Sequence, residues 1–232
     1  MTIFCLFLNF SSCTKVQNFQ TVVMGQPNFN VENWGMIKTI CVFCGSSQGA
    51  KPVYSEGARI LANFFHRHQI TLVYGGANVG LMRIMADSLL EVDGKVIGVM
   101  PKSLVEREVA HTGLTEMHIV EGMQERKALM ADLSDAFMAM PGAYGTLDEL
   151  FEVLTWNQLG IVHKPVGLLN IDGFFDPLIT LLDHAVAEKF LRPEHRGILQ
   201  VDVTPARLYD KLEAFRPVTA EKWIERLKEG KI

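Results

Sequence analysis

The chain has 232 residues, of which 48% are hydrophobic and 21% are charged, a composition typical of a soluble globular protein with one large or two small domains. A net charge of −4 at pH 7 gives no electrostatic reason to expect nucleic acid or an anionic membrane as a partner, so local donors must hold any anionic ligand. The apolar segments are all shorter than the roughly 18 residues that span a bilayer, and we expect a cytoplasmic protein.

The first 35 residues differ in pattern from the rest of the chain. They are rich in Asn and Gln and lack clean periodicity. The segment IFCLFLNF has the length of a signal-peptide core, but no basic flank precedes it and no small-residue cleavage site follows it. We expect residues 1–35 to form a disordered or partly ordered extension and residues 36–232 to form a single domain, for which Met36 could serve as a natural start.

Regular alternation of strand and helix patterns begins at residue 37. Strand patterns cover residues 37–44, 70–74, 95–100, 117–120, 136–140, 165–170 and 198–201. Helix patterns cover residues 52–68, 81–92, 123–133, 174–189, 205–215 and 220–228, and a further helix follows PGAYGT and ends at Gln158. Strands that are apolar throughout and separated by helices predict a doubly wound α/β domain of Rossmann-like type, with a mostly parallel sheet and helices on both faces.

Four cysteines, Cys5, Cys13, Cys41 and Cys44, are too few in a chain of this length to suggest a disulfide framework. The motif CVFC, from Cys41 to Cys44, is compatible with a redox pair or a metal site. It lies inside the apolar run ICVFCG, however, and residues three apart in a strand point to opposite faces. The pattern favours two buried core thiols, because a redox pair needs a helix start.

Three glycine-rich turns, GSSQG, GGANVG and PGAYGT, follow predicted strands. Ligands of open α/β sheets bind at the carboxyl ends of strands, where glycine allows close backbone approach and a helix N-terminus attracts phosphate. None of the turns has the lysine of a P-loop or the spacing of a dinucleotide fingerprint. Each turn alone could be structural, but three together favour a phosphate-bearing ligand.

The segment MPGAYGTLDELFEVLTW has two interpretations. Thr146 and Glu149 have the spacing of a capping box, in which both side chains only cap a helix. Alternatively, Glu149 stays ionised near a sugar, where its charge can stabilise an oxocarbenium-like centre or activate water. The residues alone leave both interpretations open.

The same segment carries a resemblance to a known family. Residues 37 to about 215 resemble the LOG ("lonely guy") family of cytokinin riboside 5′-monophosphate phosphoribohydrolases. The family signature PGGxGTxxE is matched by Pro141, Gly142, Gly145, Thr146 and Glu149, and an Arg-Lys pair by Arg126 and Lys127 in MQERKALM. CVFCGSS, VYGGANVGLM and TWNQLGIVHKPVGLLNIDGFF are further similar stretches. Members are often catalogued as lysine decarboxylases, a label whose chemistry the resemblance contradicts.

The resemblance implies hydrolysis of the N-glycosidic bond of a purine nucleoside 5′-monophosphate to free base and ribose 5-phosphate, without a metal or organic cofactor, by a homodimer or higher homo-oligomer. Carried over by position, the catalytic pair is Arg126 and Glu149. The substrate-binding residues carried over are Glu108, Lys127, Gly142, Ala143, Tyr144, Gly145, Thr146, Leu147, Asp148 and Thr155. Ser46 and the turn that contains Gly75 and Gly76 are expected to close the same pocket.

Three positions depart from the family pattern. Ala143 replaces the second glycine of the signature, which matters if that position needs positive φ. Ala77 stands where many members have glycine and Arg83 where many have a small residue, and a solvated helix charge is the favoured interpretation of Arg83. The alternative function is a non-catalytic nucleotide-binding or carrier protein on the same fold, in which Glu149 has only a capping role.

Overall fold

Seven parallel strands form one sheet in the computed structural model, which describes residues 36–105 and 110–217. The strands are β1 (Thr39–Phe43), β2 (Thr71–Tyr74), β3 (Val96–Pro101), β4 (Glu116–Val120), β5 (Ala136–Ala139), β6 (Val166–Leu169) and β7 (Leu199–Asp202). Most of their residues are buried, as expected of a parallel sheet with both faces covered. The predicted doubly wound α/β fold is confirmed.

Helices follow the strands along the described part of the chain. They are α1 (Pro52–Arg67), α2 (Gly80–Leu90), α3 (Lys102–Val105), α4 (Met123–Asp132), α5 (Tyr144–Gln158), α6 (Asp176–Ala187), α7 (Pro193–Arg196) and α8 (Pro205–Ala214). Proline opens α1, α7 and α8, where its missing N–H costs nothing and its fixed φ suits the first turn. Among the described residues, no helix combines the length and apolar content needed to cross a membrane.

The strand order β4-β3-β2-β1-β5-β6-β7 places the first strand in the middle of the sheet. The chain winds outward from β1 through β2 to β4, returns to pair β5 with the other edge of β1, and winds outward again. The connections after β1 and β5 therefore diverge to opposite faces at the carboxyl edge. Such a switch point is where open α/β sheets bind ligands.

Apolar side chains cover both faces of the sheet, and β1 supplies both layers. Cys41 and Phe43 belong to the core on one face, and Val42 and Cys44 to the core on the other. Both thiols are buried and unpaired by disulfide, so the prediction of two core thiols on opposite faces is confirmed. Burial raises the pKa of each thiol well above its ordinary value.

Several element boundaries differ from the sequence prediction. Helix α5 begins at Tyr144, within the segment assigned to the turn, and α6 begins at Asp176, two residues later than predicted. The delay arises because Ile171–Gly173 form a 3-10 turn in which Asp172 (φ 52°) and Gly173 (φ 69°) are left-handed. The short helices α3 and α7 were not predicted. Residues 1–35, Glu108 and the predicted helix 220–228 lie outside the described residues.

Candidate active site

A cavity of about 450 Å³ opens at the switch point between β1 and β5. Its walls are the loop after β1, the N-terminal ends of α2 and α5, one side chain of α4 and the turn before α6. The lining residues are Cys44, Gly45, Ser46, Ser47, Gln48, Gly49, Tyr54, Leu81, Met82, Arg126, Pro141, Gly142, Ala143, Gly145, Thr146, Glu149 and Phe174. The two loops that diverge here are tied together, because Gly45 donates its backbone N–H to the carbonyl oxygen of Pro141 at 3.0 Å.

The N-terminus of α5 points its first turn at this cavity. Ala143 is the N-cap residue, and the N–H of Leu147 makes the first intrahelical bond, to the carbonyl of Ala143 at 3.0 Å. The preceding N–H groups of the turn have no partner within the helix, and together with the helix dipole they favour an anion. A Cβ atom on Gly145 would meet no atom of the described residues within 4 Å, so this residue keeps the floor of the cavity open.

The capping-box interpretation of Thr146 and Glu149 is wrong for this structure. The helix begins two residues before Thr146, its N-cap is Ala143, and no side chain of residues 36–105 or 110–217 caps it by a hydrogen bond. Thr146 is buried at 3% exposure and packs against Gly142, where a Cβ atom would lie 2.0 Å from the Thr146 Oγ1. Ala143 has φ −113°, so this position does not have the positive φ that would require glycine.

Arg126 and Glu149 meet at the inner end of the cavity. Nη2 of Arg126 lies 3.6 Å from Oε1 of Glu149, and the two side chains are only 12% and 14% exposed. The guanidinium rests on the backbone of Gly75, where a Cβ atom would lie 1.8 Å from Nη2. Its Nε is buried and has no hydrogen-bond partner among the residues that the structure describes. A buried guanidinium with a free donor beside a cavity is suited to bind an oxygen-rich ligand.

Several charges act on the Glu149 carboxyl group. Burial is the largest influence and raises its pKa above the ordinary value of 4.5, Arg126 and Lys127 lower it, and Asp148 and Glu152 raise it. The net pKa is raised, so the ionised form is disfavoured relative to a carboxylate in water. A carboxyl group with such a shift beside a cavity is a candidate for general base or charge-stabilising chemistry.

Comparison with known proteins places the chain in a family. A family model described as "Possible lysine decarboxylase" matches residues 82–212. The probable cytokinin riboside 5′-monophosphate phosphoribohydrolase LOGL2 of Oryza sativa subsp. japonica is 45% identical over 212 residues, which cover 84% of this chain and 87% of the rice protein. The cytokinin riboside 5′-monophosphate phosphoribohydrolase LOG5 of Arabidopsis thaliana is 45% identical over 78% of this chain and 79% of its own. The chain belongs to the LOG family.

Solved structures of low sequence identity share the LOG chain's fold. A molybdenum cofactor binding protein from Rippkaea orientalis is 22% identical with a TM-score of 0.58, over 78% of this chain and 98% of its own. The structure of TM1055 is 20% identical with a TM-score of 0.59, over 77% of this chain and 99% of its own. The similarity of this chain to the two solved structures concerns the fold alone.

All five residues matched to the LOG signature line the cavity: Pro141, Gly142, Gly145, Thr146 and Glu149. Arg126, Ser46 and Ala143 line it as well. The structure thus brings the predicted catalytic pair, the glycine turn and the first loop together in one space, and their roles toward substrate stay predictions.

Other predicted LOG site residues lie outside this lining. Gly75 contacts Arg126 from below, and Gly76 (φ 73°) packs near Met117, where a Cβ atom would lie 3.1 Å from Sδ. Tyr144 is 91% exposed. Leu147, Asp148 and Thr155 line a separate shallow depression of about 410 Å³ on the outer side of α5.

Two aromatic residues of the LOG cavity were missed by sequence reasoning. Tyr54, in the first turn of α1, and Phe174, just before α6, pack edge to face with ring centroids 5.8 Å apart. An ion pair between Lys51 and Asp172 at 2.6 Å holds the 3-10 turn against the start of α1. The signal that could have found Phe174 is its position after β6, because that strand ends at the same edge as β1 and β5.

Proposed function

We propose that the protein hydrolyses the N-glycosidic bond of cytokinin riboside 5′-monophosphates and of AMP, releasing free base and ribose 5-phosphate. The observation that carries the proposal is the meeting of three features in one cavity of a LOG-family chain. These are an uncapped helix N-terminus, an open glycine floor and a buried carboxyl–guanidinium pair. Relatives named as phosphoribohydrolases support the reaction class.

The first turn of α5 is the proposed phosphate site. Its free N–H groups and positive dipole end supply donors in a protein whose net charge is negative. Gly142 and Gly145 let a phosphate come close to the backbone of this turn. Gly142 packs on Thr146, and Gly145 leaves the cavity side empty. A phosphate anchored there places the ribose toward Glu149, which lies further along the same helix.

Glu149 is the proposed catalytic carboxylate. When the bond between C1′ and the base nitrogen breaks, its electron pair leaves on the base and positive charge develops on the ribose ring. An ionised carboxylate close to that charge lowers the barrier in a water-poor site. Water then bonds to C1′ and gives up a proton, and the departing base takes up a proton, so that atoms and charge balance.

Arg126 is proposed to orient Glu149 and to bind oxygen atoms of the substrate. Its guanidinium remains charged at any relevant pH and offers donors in a fixed plane, and it already lies 3.6 Å from the carboxylate. A permanently charged guanidinium is a poor acid, so the proton on the leaving base comes from another group.

The family label of lysine decarboxylase is not supported by the cavity's chemistry. A pyridoxal cofactor is held as a Schiff base by lysine, and the described residues that line the cavity include none. Lys127 is only 9% exposed and its ammonium group lies 3.1 Å from two carboxylates. Formation of the decarboxylated diamine from L-lysine with added pyridoxal 5′-phosphate would contradict this conclusion.

We also propose a cytoplasmic homodimer or higher homo-oligomer, formed through the outer side of α5. Phe151 on α5 and Leu159 and Ile161 just after the helix are 38%, 43% and 65% exposed, and exposed large apolar side chains close together are typical of a subunit contact. The depression that contains Thr155 lies on this side, so a second copy would cover it. Light scattering of the wild-type protein and of Ile161→Asp tests the proposal, and a wild-type monomer at micromolar concentration would contradict it.

A substrate panel tests the reaction directly. The full chain is incubated with AMP, GMP, CMP and isopentenyladenosine 5′-monophosphate, and free base and ribose 5-phosphate are quantified by chromatography. We expect base release from the adenine nucleotides and its loss in Glu149→Ala and Arg126→Ala. The exposed ion pair of Arg59 and Glu56 supplies matched controls, Arg59→Ala and Glu56→Ala, which should keep wild-type activity.

The alternative function is distinguished by the same panel with calorimetry added. A nucleotide carrier would bind AMP and release no base. Glu149→Ala with wild-type activity would remove the proposed catalytic role even if the protein proved to be a hydrolase.

A further inference from the structure

An apolar groove of about 610 Å³ lies along α1, and none of its described lining residues belongs to the candidate active site. Leu169, at the end of β6, and residues 203–206, around the start of α8, line it as well. Several of its apolar side chains face solvent: Val53 is 40% exposed, Ile60 is 48% exposed and Val203 is 59% exposed. Large apolar side chains grouped on a surface are typical of a contact with another protein segment. We call this surface the α1 groove.

The α1 residues of the groove form one stripe along the helix. They have the i, i+3, i+4, i+7 spacing that places side chains on one helix face. Because α1 follows β1, it starts at the carboxyl edge of the sheet and runs toward the amino edge. The stripe extends over about 21 Å of the helix. Its members are Val53, Glu56, Gly57, Ile60, Asn63, Phe64 and Arg67.

Beyond the described residues, the sequence predicts a helix over residues 220–228. Its apolar residues have the i, i+3, i+4, i+7 spacing of a single stripe and are Ala220, Trp223, Ile224 and Leu227. A helix this short is marginal alone in water and gains its stability by packing such a stripe on another surface. The segment therefore needs an apolar surface within its reach.

The α1 groove lies within reach of this segment. Tyr209 of α8 donates a hydrogen bond to the carbonyl oxygen of Ile37, ahead of β1, at 3.3 Å, so α8 runs toward the amino edge. The ring of Tyr209 lies 5.5 Å from that of Phe64 between centroids, so the chain leaves α8 beside the end of the groove. The 10 residues of α8 span about 15 Å. A helix over residues 220–228 spans about 13 Å, so after a short connection it can return along the groove to the start of α8.

The charges around the groove favour one direction of the segment. A helix that returns toward the carboxyl edge runs antiparallel to α1. It brings Glu221 near Arg67 and Lys228 near Glu56, because Glu221 and Lys228 lie about two turns apart on the same side of the predicted helix. Opposite charges then meet at both ends of the groove, whereas the reverse direction would bring Lys228 to Arg67 and place like charges together.

We propose that residues 220–228 form a helix that docks in the α1 groove of the same chain, with Ile224 on Ile60 and Leu227 toward Val53. Docking removes from water both the exposed apolar side chains of the groove and the apolar stripe of the segment, and this burial stabilises the docked state. The inference goes beyond the proposed hydrolysis and does not depend on it.

Disulfide trapping in the full chain tests the register of docking. With Cys5→Ser and Cys13→Ser, the remaining native thiols are the buried pair of β1. Ile60→Cys and Ile224→Cys together should then form an intramolecular disulfide on mild oxidation. The control combines Ile60→Cys with Lys222→Cys, a position on the opposite side of the predicted helix. It should oxidise at least about tenfold more slowly, because a disulfide needs closely spaced and correctly directed Cβ atoms.

Non-reducing gels and peptide mass spectrometry separate the outcomes. A disulfide within one chain, formed faster at the first pair than at the control pair, supports the proposal. Equal rates for the two pairs, or no reaction at either, would show that the apolar stripe of the segment does not dock, as expected if residues 1–35 cover the groove. A covalent dimer would show that a second copy covers it. Each of these results overturns the proposal.

Charge reversal tests the proposed direction. In the chain with Ile60→Cys and Ile224→Cys, Arg67→Glu should slow disulfide formation about threefold or more, and Glu221→Arg added to it should restore the rate. Lys95→Glu, an exposed charge reversal ahead of β3, should leave the rate unchanged. A rate that Glu221→Arg does not restore would contradict the antiparallel docking.

A spectroscopic readout tests docking without introduced thiols. In protein labelled with 5-fluorotryptophan, the ¹⁹F resonance of Trp223 is identified by its absence in Trp223→Phe. Ile60→Asp should move that resonance to its position in urea, and Leu181→Asp, an exposed change on α6, should not. A wild-type resonance already at its urea position, or one that Ile60→Asp leaves in place, overturns the proposal. These readouts use no turnover, so a protein that releases no base contradicts the proposed function alone.

Discussion

Gly75 lies directly beneath the guanidinium of Arg126, so closely that a Cβ atom on Gly75 would lie 1.8 Å from Nη2. The backbone of Gly75 is not left-handed, so alanine is acceptable to the chain itself and only the arginine must move. We expect Gly75→Ala to lower kcat/KM for AMP about 100-fold, the effect of displacing a catalytic group by about 1 Å. Steady-state kinetics with circular dichroism measures activity and folding together.

The control for this substitution is Gly197→Ala. A Cβ atom there would lie 3.4 Å from the nearest atom that the structure describes, the carbonyl oxygen of Glu194, at the end of α7 and away from the cavity lining. It should retain wild-type kinetics. Full activity in Gly75→Ala would mean that Arg126 needs no fixed support.

The open floor of the cavity at Gly145 gives a second prediction. Within the described part of the chain, a Cβ atom there would meet no atom within 4 Å. It would project at the N-terminus of α5, where alanine suits a helix better than glycine by up to about 1 kcal/mol. Gly145→Ala should therefore keep or slightly raise the free energy of unfolding while raising the KM for AMP about tenfold. Urea unfolding and initial rates measure the two quantities.

Gly142→Ala is the contrasting variant in the same turn. Its Cβ atom would lie 2.0 Å from Oγ1 of the buried Thr146, so it should lose folding stability as well as activity. Equal effects of the two glycine variants on unfolding would contradict the proposed difference between a packing glycine and a ligand-facing glycine.

The buried state of Glu149 predicts a pH dependence of activity. Burial raises its pKa above the ordinary 4.5, and the ionised form is the proposed catalyst. Activity should therefore be lost as pH falls, with the acidic limb of kcat/KM lying above pH 4.5. A limb at or below that value would contradict a buried catalytic carboxylate.

The raised pKa of Glu149 also makes the folding stability depend on pH. A carboxyl group with a raised folded pKa contributes stability that is present below its unfolded pKa and is lost as pH rises through its folded pKa. Glu149→Gln lacks this pH dependence. As pH rises from 4.5 to neutrality, its free energy of unfolding should therefore increase relative to that of the wild type. Urea unfolding at both pH values measures the difference.

The sheet was predictable from sequence because each strand is an apolar run between helix patterns, and a parallel sheet needs that pattern on both faces. The boundaries of α5 and α6 were not predictable from the sequence. The glycine and proline of PGAYGT suggested a longer turn, yet Tyr144 and Gly145 already belong to the helix. The start of α6 was delayed by Asp172, a non-glycine residue in a left-handed conformation that is held by its ion pair with Lys51.

The site was predictable to the extent that its residues follow strands at one edge. Arg126 and Glu149 were assigned by resemblance, and the structure places them 3.6 Å apart. The burial of Lys127 between two carboxylates was not predictable, because spacing on α4 does not tell which side of the helix faces α5. The aromatic pair Tyr54 and Phe174 depends on the 3-10 turn, which no local pattern indicated.

A last prediction concerns folding stability at the end of β7, away from the site cavity. The Asp202 side chain is 2% exposed, its Oδ1 accepts the backbone N–H of Val203 at 2.8 Å and of Thr204 at 3.3 Å, and its Oδ2 lies 2.9 Å from Nζ of Lys211. Burial alone would raise the pKa of Asp202, but the contact with Lys211 and the two backbone bonds outweigh it and hold the pKa below its ordinary 3.8.

A carboxyl group whose pKa is lower in the folded state than in the unfolded state contributes stability. This contribution is present above the unfolded pKa and is lost as pH falls through the folded pKa. Asp202→Asn should therefore lower the free energy of unfolding at pH 7 by roughly 1.5–3 kcal/mol, the typical value of hydrogen bonds to a charged group. The difference from the wild type should shrink as pH falls below 3.8. Asp210→Asn, an exposed change on the same helix as Lys211, is the control in urea unfolding. A deficit of Asp202→Asn that stayed constant down to pH 2 would show that packing, and not the charge of Asp202, stabilises this corner.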